Sequence, residues 1–194
     1  DEASYVETME AAVKAVGVPA FRTRQAKARA EGRYLGLGFA TFAERTGYGT
    51  PAFAARGMDV TPGWETVEMT MDPSGFVEAR IGASPHGQGL RTTLSQIIAD
   101  ELGTSPDRIK IVHGDTDRTP YGWGTFASRS LVIAGGATLL AARKVRAKLT
   151  KMAGVLLEAS ADDSVLEADA ARVAGTDRAI PFATLARADY HQAH

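Results

Sequence analysis

Residues 82–103 read GASPHGQGLRTTLSQIIADELG. Leu90, Leu94, Ile97, Ile98 and Leu102 recur at helical spacing, which predicts a helix over about 89–102 with one apolar face. A Gly-Gln-Gly turn at 87–89 opens that helix. Upstream, residues 64–72 (WETVEMTMD) alternate, with Val67, Met69 and Met71 on one side, as a half-buried strand does. Pro73-Ser74-Gly75 then turns the chain into a second strand over 76–83, FVEARIGA, giving a hairpin. Downstream, Ser105-Pro106-Asp107 leads to a strand at 108–112, RIKIV, and then to a Gly-rich loop at 113–127, HGDTDRTPYGWGTFA. A long helix follows, from Ser128 or Ser130 to about Glu158. Short strands at 164–167 and 171–174 and a terminal helix with Pro181 in its first turn complete the chain. The expected fold class is α+β, a mixed or antiparallel sheet with packed helices. Each of the two Gly-rich turns follows a strand and leads into a helix, so neighbouring strands would bring them to one rim.

The N-terminal part reads differently. Residues 4–16 predict a helix, with Ser4 and Glu7 spaced as a capping box and Gly17 at the C-cap. A second helix is expected over 19–31, its basic residues Arg22, Arg24, Lys27 and Arg29 forming a solvated face. The apolar run at 33–43, RYLGLGFATFA, reads as a buried strand, and 46–63 as a Gly- and Pro-rich loop. The expected division is a helical segment at 1–31 and a larger domain at 32–194. The chain of 194 residues is 44% hydrophobic, enough for a core. Its net charge of -1 gives no electrostatic case for nucleic acid or an anionic membrane. The sequence has no apolar run long enough to span a bilayer and no signal-peptide pattern, so neither nucleic acid nor membrane insertion is expected and the setting expected is cytoplasmic. The absence of cysteine removes disulfides, thiolate metal sites and thiol nucleophiles. The chain begins with Asp1 and not Met, which suggests a processed or truncated chain or a fragment.

A helix N-terminus offers unpaired N–H groups and partial positive charge, and preceding glycines let a ligand approach the backbone. Gly87-Gln88-Gly89 and 122-GWGTFASRS-130 are therefore candidate anion cradles, with hydroxyls on Thr125, Ser128 and Ser130. Neither matches a phosphate loop with Gly-Lys-Ser/Thr, nor the dinucleotide fingerprint, and a plain structural turn fits the bare pattern as well. Gln88 offers two donors and one acceptor without titrating.

Three runs in order, 32-GRYLGLGFATFAERTG-47, 82-GASPHGQGLRTTLSQIIADELG-103 and 108-RIKIVHGDTDRTPYGWGTFASRS-130, resemble the molybdenum-binding large subunit of the xanthine oxidase, aldehyde oxidase and aerobic carbon monoxide dehydrogenase family. The resemblance covers roughly residues 18 to 190 and falls in the second molybdenum-binding region. It implies a molybdopterin cofactor, in bacteria usually the cytosine dinucleotide form. It implies that Gly87, Gln88 and Gly89 contact the pterin side, and that Thr125, Phe126, Ala127 and Ser128 contact the pterin or its pyrophosphate. Expected partners are the remainder of the large subunit, iron–sulfur and FAD-carrying flavin subunits, and a second copy of the chain. Family chemistry is hydroxylation with water as the oxygen source, on an aldehyde, a purine-like heterocycle or carbon monoxide, with a glutamate as general base.

The family subunit is several times longer, and its stretches carrying the substrate loop and the base glutamate have no counterpart here. Glu31, Glu44, Glu65, Glu68 and Glu101 lack that context, so no catalytic residue and no metal ligand is assigned, and the chain alone is expected to be inactive. The alternative is a non-catalytic binding or interaction module that retains the fold. Arg129 fits either a cofactor phosphate or a structural ion pair. Asp115 and Asp117 lack the offsets of a calcium loop and read as strand-end caps, His86 reads as a turn residue, and His191 with His194 offers too few ligands for a metal. Arg143, Lys144, Arg146 and Lys148 read as a solvated helix face. Phe39, Phe42, Phe53, Trp64 and Trp123 are the aromatics expected at surfaces that other parts of a subunit would cover.

Overall fold

Two strands joined through one helix organise the larger part of the chain. The structure is a computed structural model that describes residues 4–44, 46–58 and 63–191, so His194 lies outside the described residues. It divides into two compact units, residues 1–44 and 45–194.

In the larger unit, β1 (Val67–Met71) pairs antiparallel with β2 (Val77–Ile81), from Val67 opposite Ile81 to Met71 opposite Val77. The turn between them is held by Asp72, whose Oδ1 accepts from the Ser74 N–H at 2.8 Å, the Ser74 hydroxyl at 2.6 Å and the Phe76 N–H at 3.1 Å. These bonds, the Ser74 hydroxyl foremost, hold the Asp72 carboxyl below its ordinary pKa. β2 alternates, with Val77, Ala79 and Ile81 buried. From β2 the chain crosses through α4 (Leu90–Leu102) to β3 (Ile109–Val112), which pairs parallel with β2, Val77 opposite Ile109. This strand–helix–strand unit gives a mixed sheet in the order β1-β2-β3.

α4 buries Leu90, Leu94, Ile98 and Leu102, spaced four apart along one stripe. Each such side chain contributes about 1.5–3 kcal/mol relative to exposure. The helix ends at Gly103 in the left-handed conformation, where a side chain would run into the Leu166 backbone. After the second Gly-rich loop, one π-helical turn at Ser130–Ala134 runs straight into α5 (Gly135–Leu156), where a regular helix was expected throughout. α5 packs against α4 and β1, and also against a second, antiparallel sheet of β4 (Ser164–Glu167), β5 (Ala170–Val173) and β6 (Ala179–Pro181). Pro181 ends β6, and the terminal helix α6 (Phe182–His191) starts one residue later than its expected place. The basic residues of α5 are partly anchored. Arg146 donates to the Glu101 carbonyl at 2.7 Å, and Lys148 pairs with Asp189.

In the unit of residues 1–44, α1 (Tyr5–Val16) and α2 (Val18–Ala30) meet at Gly17, whose φ of 65° suits glycine. Ser4 makes no side-chain cap bond, so the expected capping box is not formed. Residues 33–44 carry no strand, contrary to the sequence expectation. The Leu35 carbonyl accepts from the Gln25 amide at 2.7 Å, and Phe42 is 82% exposed. Among the described residues no strand pairs with this run, and an apolar composition alone does not make a ladder. The basic side chains of α2 face solvent. A short helix, α3 (Thr50–Ala54), belongs to the larger unit, and its Phe53 is buried.

Candidate functional site

The parallel β2–β3 pairing sends both strands toward the same rim, and the two Gly-rich loops leave from it. They line one open cleft of about 560 Å³. Gln88 comes from the first loop and Thr125, Phe126, Ala127 and Ser128 from the second. Five of the seven residues singled out in the sequence thus share one cavity, and Gly87 and Gly89 flank Gln88. His86, Leu90, Thr93, Ser130 and Leu131, none of them among those seven, complete the lining. The signal for the additions was positional: each lies within a helical turn of a singled-out residue.

The first loop depends on glycine. Gly87 and Gly89 have φ of 108° and 81°, and no atom lies within 4 Å of where a Cβ would stand on either. Between them the Gln88 side-chain oxygen accepts from the His86 N–H at 2.8 Å. This spends the acceptor and leaves the amide NH2 without an acceptor among the described residues. α4 starts at once, with no side-chain cap and no acidic residue in its first turn. Its first N–H groups and dipole therefore remain available to an anion.

The second loop is built on charge and strain. Ala127 and Ser128 are consecutive non-glycine residues in the left-handed region, with φ of 47° and 50°. Arg129 follows them with no solvent exposure and donates through Nη1 to Glu65 at 2.6 Å and the Gly124 carbonyl at 2.7 Å, and through Nη2 to the Trp64 carbonyl at 2.6 Å. Its guanidinium lies 5.5 Å from the centre of the Phe126 ring. The Glu65 side chain is equally buried, and its second oxygen accepts from the Trp123 N–H at 3.1 Å. Of the two readings of Arg129, the structural ion pair is the one present. Phe126 also meets the buried Phe53 edge-on, with ring centres 5.9 Å apart.

The loops touch each other. The Thr125 hydroxyl donates to the Ser84 carbonyl at 2.5 Å and accepts from the Ser130 hydroxyl at 2.8 Å. Between the two loops, Gly82 and Gly122 lie so close that a Cβ on either would stand 2.5 Å from the other's Cα. Asp115 accepts from the Asp117 N–H at 3.1 Å, as a capped turn does. Among the described residues no group of three or more His, Asp or Glu side chains is placed to hold a metal ion. Of the watched aromatics, Phe39, Phe42 and Trp64 are exposed, Trp123 is half-buried and Phe53 is buried. Among the described residues no helix is long and apolar enough to cross a membrane.

The family model described as the molybdopterin cofactor-binding domain matches residues 11–194. The nicotine 6-hydroxylase large subunit of Paenarthrobacter nicotinovorans is 40% identical over 192 residues, covering 98% of this chain and 23% of that protein. The carbon monoxide dehydrogenase large chain of Hydrogenophaga pseudoflava is 38% identical over 196 residues, covering 99% of this chain and 24% of that protein. The crystal structure of quinoline 2-oxidoreductase from Pseudomonas putida 86 superposes with a TM-score of 0.71 at 40% identity, over 97% of this chain and 24% of that one. The chain thus spans about a quarter of the length of the curated relatives it matches. A family match over nearly the whole chain, together with relatives of this similarity, shows that the chain belongs to the molybdopterin cofactor-binding domain family, in the xanthine oxidase group of molybdenum hydroxylase large subunits.

Proposed function

We propose that this chain forms one wall of a molybdopterin site in a molybdenum hydroxylase. The observation that carries the reading is the single cleft lined by both Gly-rich loops. Its residues suit an anionic, hydrogen-bonding pterin dinucleotide. Gln88 presents two N–H donors fixed by its bond to His86, and α4 adds uncapped backbone N–H groups beside it. Gly87 and Gly89 keep the first lip free of side chains, so a large group can reach the backbone. Thr125, Phe126, Ala127 and Ser128 form the facing lip, with backbone groups, hydroxyls and one aromatic face.

When bound, the molybdenum cofactor supplies the oxidation chemistry, with water as the oxygen source. This chain's part is to bind and orient the cofactor. Among the described residues no carboxylate lines the cleft, which fits a glutamate base and a substrate pocket supplied by other regions of the complete enzyme. In that enzyme the substrate is an aldehyde, an N-heterocycle or carbon monoxide, the cofactor is the cytosine dinucleotide form, and electrons leave through iron–sulfur and FAD partners in the cytoplasm. The intact loops speak against a module that has kept the fold and lost the ligand.

The test is molybdenum content by elemental analysis and pterin content by fluorescence of the oxidised form, in the purified chain alone and with the rest of the subunit supplied. Cofactor in the combined sample, lost about tenfold or more in Gln88→Ala, is the expected result. A folded chain that holds no cofactor in either sample overturns the reading.

A further inference from the structure

We propose that the buried Arg129–Glu65 pair is the positioning element of the second loop, fixing the shape of the cleft wall that faces Gln88. The inference rests on the cofactor reading for its purpose and on geometry for its substance.

Four features converge on the pair. The Arg129 guanidinium ties two carbonyls and a carboxylate from segments far apart in sequence, Gly124 on the loop and Trp64 and Glu65 before β1. A planar fork reaches all three at once, and a lysine ammonium does not reproduce that geometry. The Glu65 carboxylate takes the Trp123 N–H with its other oxygen, so the loop is gripped on both sides of Gly124. Phe126, part of the cleft wall, lies against the guanidinium. Finally, Ala127 and Ser128 are strained residues immediately before Arg129, and such strain persists only where the surroundings over-determine the backbone. A fully buried ion pair is a poor way to gain stability, since apolar residues of the same volume serve as well or better. Here it gives the loop one conformation. Arg129 and Glu65 are positioning residues, because neither is among the residues that line the cleft.

Both of the chain's tryptophans, Trp64 and Trp123, bond to the pair through their main chains; Trp64 is already exposed, so a rise in acrylamide quenching reports the half-buried Trp123, whether or not cofactor is bound. The experiment compares Arg129→Lys with Leu94→Ala, a core substitution in α4 that leaves the pair intact, and with Glu65→Gln, which keeps the shape of the side chain should the lysine variant fail to fold. Quenching and thermal midpoint are read on the chain, and pterin retention on the chain with the rest of the subunit supplied. Arg129→Lys or Glu65→Gln is expected to open Trp123 to acrylamide and to lower pterin retention about tenfold beyond Leu94→Ala at the same distance below its melting midpoint. Tryptophan accessibility equal to that of Leu94→Ala overturns the proposal, as does equal pterin retention. If the unsubstituted protein holds no pterin, the cofactor reading fails alone and the tryptophan comparison still decides the role of the pair.

Discussion

The two lips of the cleft reach the same rim by opposite physical means. Residues 87–89 reach their conformation through glycines at positive φ, with open space around them and one local side-chain bond. Residues 122–130 hold two non-glycine residues at positive φ, next to an ion pair with no solvent exposure. One lip is permitted by missing side chains and the other is enforced by buried charge. A shape that is merely permitted is weakened by adding a side chain, and an enforced one by removing a partner from a distance.

Breaking the enforced lip gives the largest expected effect. Glu65→Ala leaves the Arg129 charge buried without its counterion and costs about 3–5 kcal/mol in a denaturant titration. A loss below about 1 kcal/mol would mean that water or another group takes over, and the contrast between the lips would collapse. Leu94→Ala empties part of the core under α4 and costs about 2–5 kcal/mol without touching the Arg129–Glu65 pair. It marks what a purely global destabilisation does to cofactor binding.

The glycines sharpen the comparison at smaller scale. Gly89→Ala forces a Cβ into the left-handed region without a clash and costs about 1–2 kcal/mol. Ala127→Gly runs the other way, relieving strain at φ 47° for a gain of up to about 1 kcal/mol after the added chain entropy. Denaturation midpoints of the two variants should move in opposite directions, and movement in the same direction would sink the distinction.

The smallest effect lies at the β1–β2 turn, away from both lips. The folded pKa of Asp72 is depressed by its bonds from the Ser74 hydroxyl, which oppose its slight desolvation, and from the backbone of Phe76 and Ser74. Its contribution is therefore complete above the unfolded carboxylate value and is lost as pH falls through the folded one. Asp72→Asn should flatten the acid limb of a stability–pH profile, and an unchanged limb would show that other carboxylates carry it. Glu78 behaves alike: desolvation raises its pKa, but the bonds from Lys110 and Arg118 outweigh it.

The sequence disclosed what depends on local period. α4, the hairpin and β3 follow from apolar spacing over a few residues, and the second sheet's first two strands from their short alternation. The strand expected over 33–43 shows the limit, since a strand needs a neighbour that its own residues do not specify. β6 is three residues long and ends in proline, too short to show a period. The π-helical turn before α5 shifts the apolar phase by a single residue, below what a pattern resolves. Of the site, the two Gly-rich turns were legible as turns into helices, but a plain structural turn fitted the bare pattern as well, and only the parallel pairing of β2 with β3 brings them to one cleft. The Arg129–Glu65 pair was open only as one of two readings for Arg129, and Glu65 carried no signal, because its partner stands 64 residues away.

The contact between Gly82 and Gly122 has a consequence for how such a cleft can diverge. The two loops stand there as close as bare backbones allow, so no single substitution is accommodated: any side chain on either residue collides with the other's main chain. Variation is thereby channelled to the lips, where residues can change without resetting the spacing. A lineage that kept this contact could vary the residues of the lips while the two loops stay held together beside it.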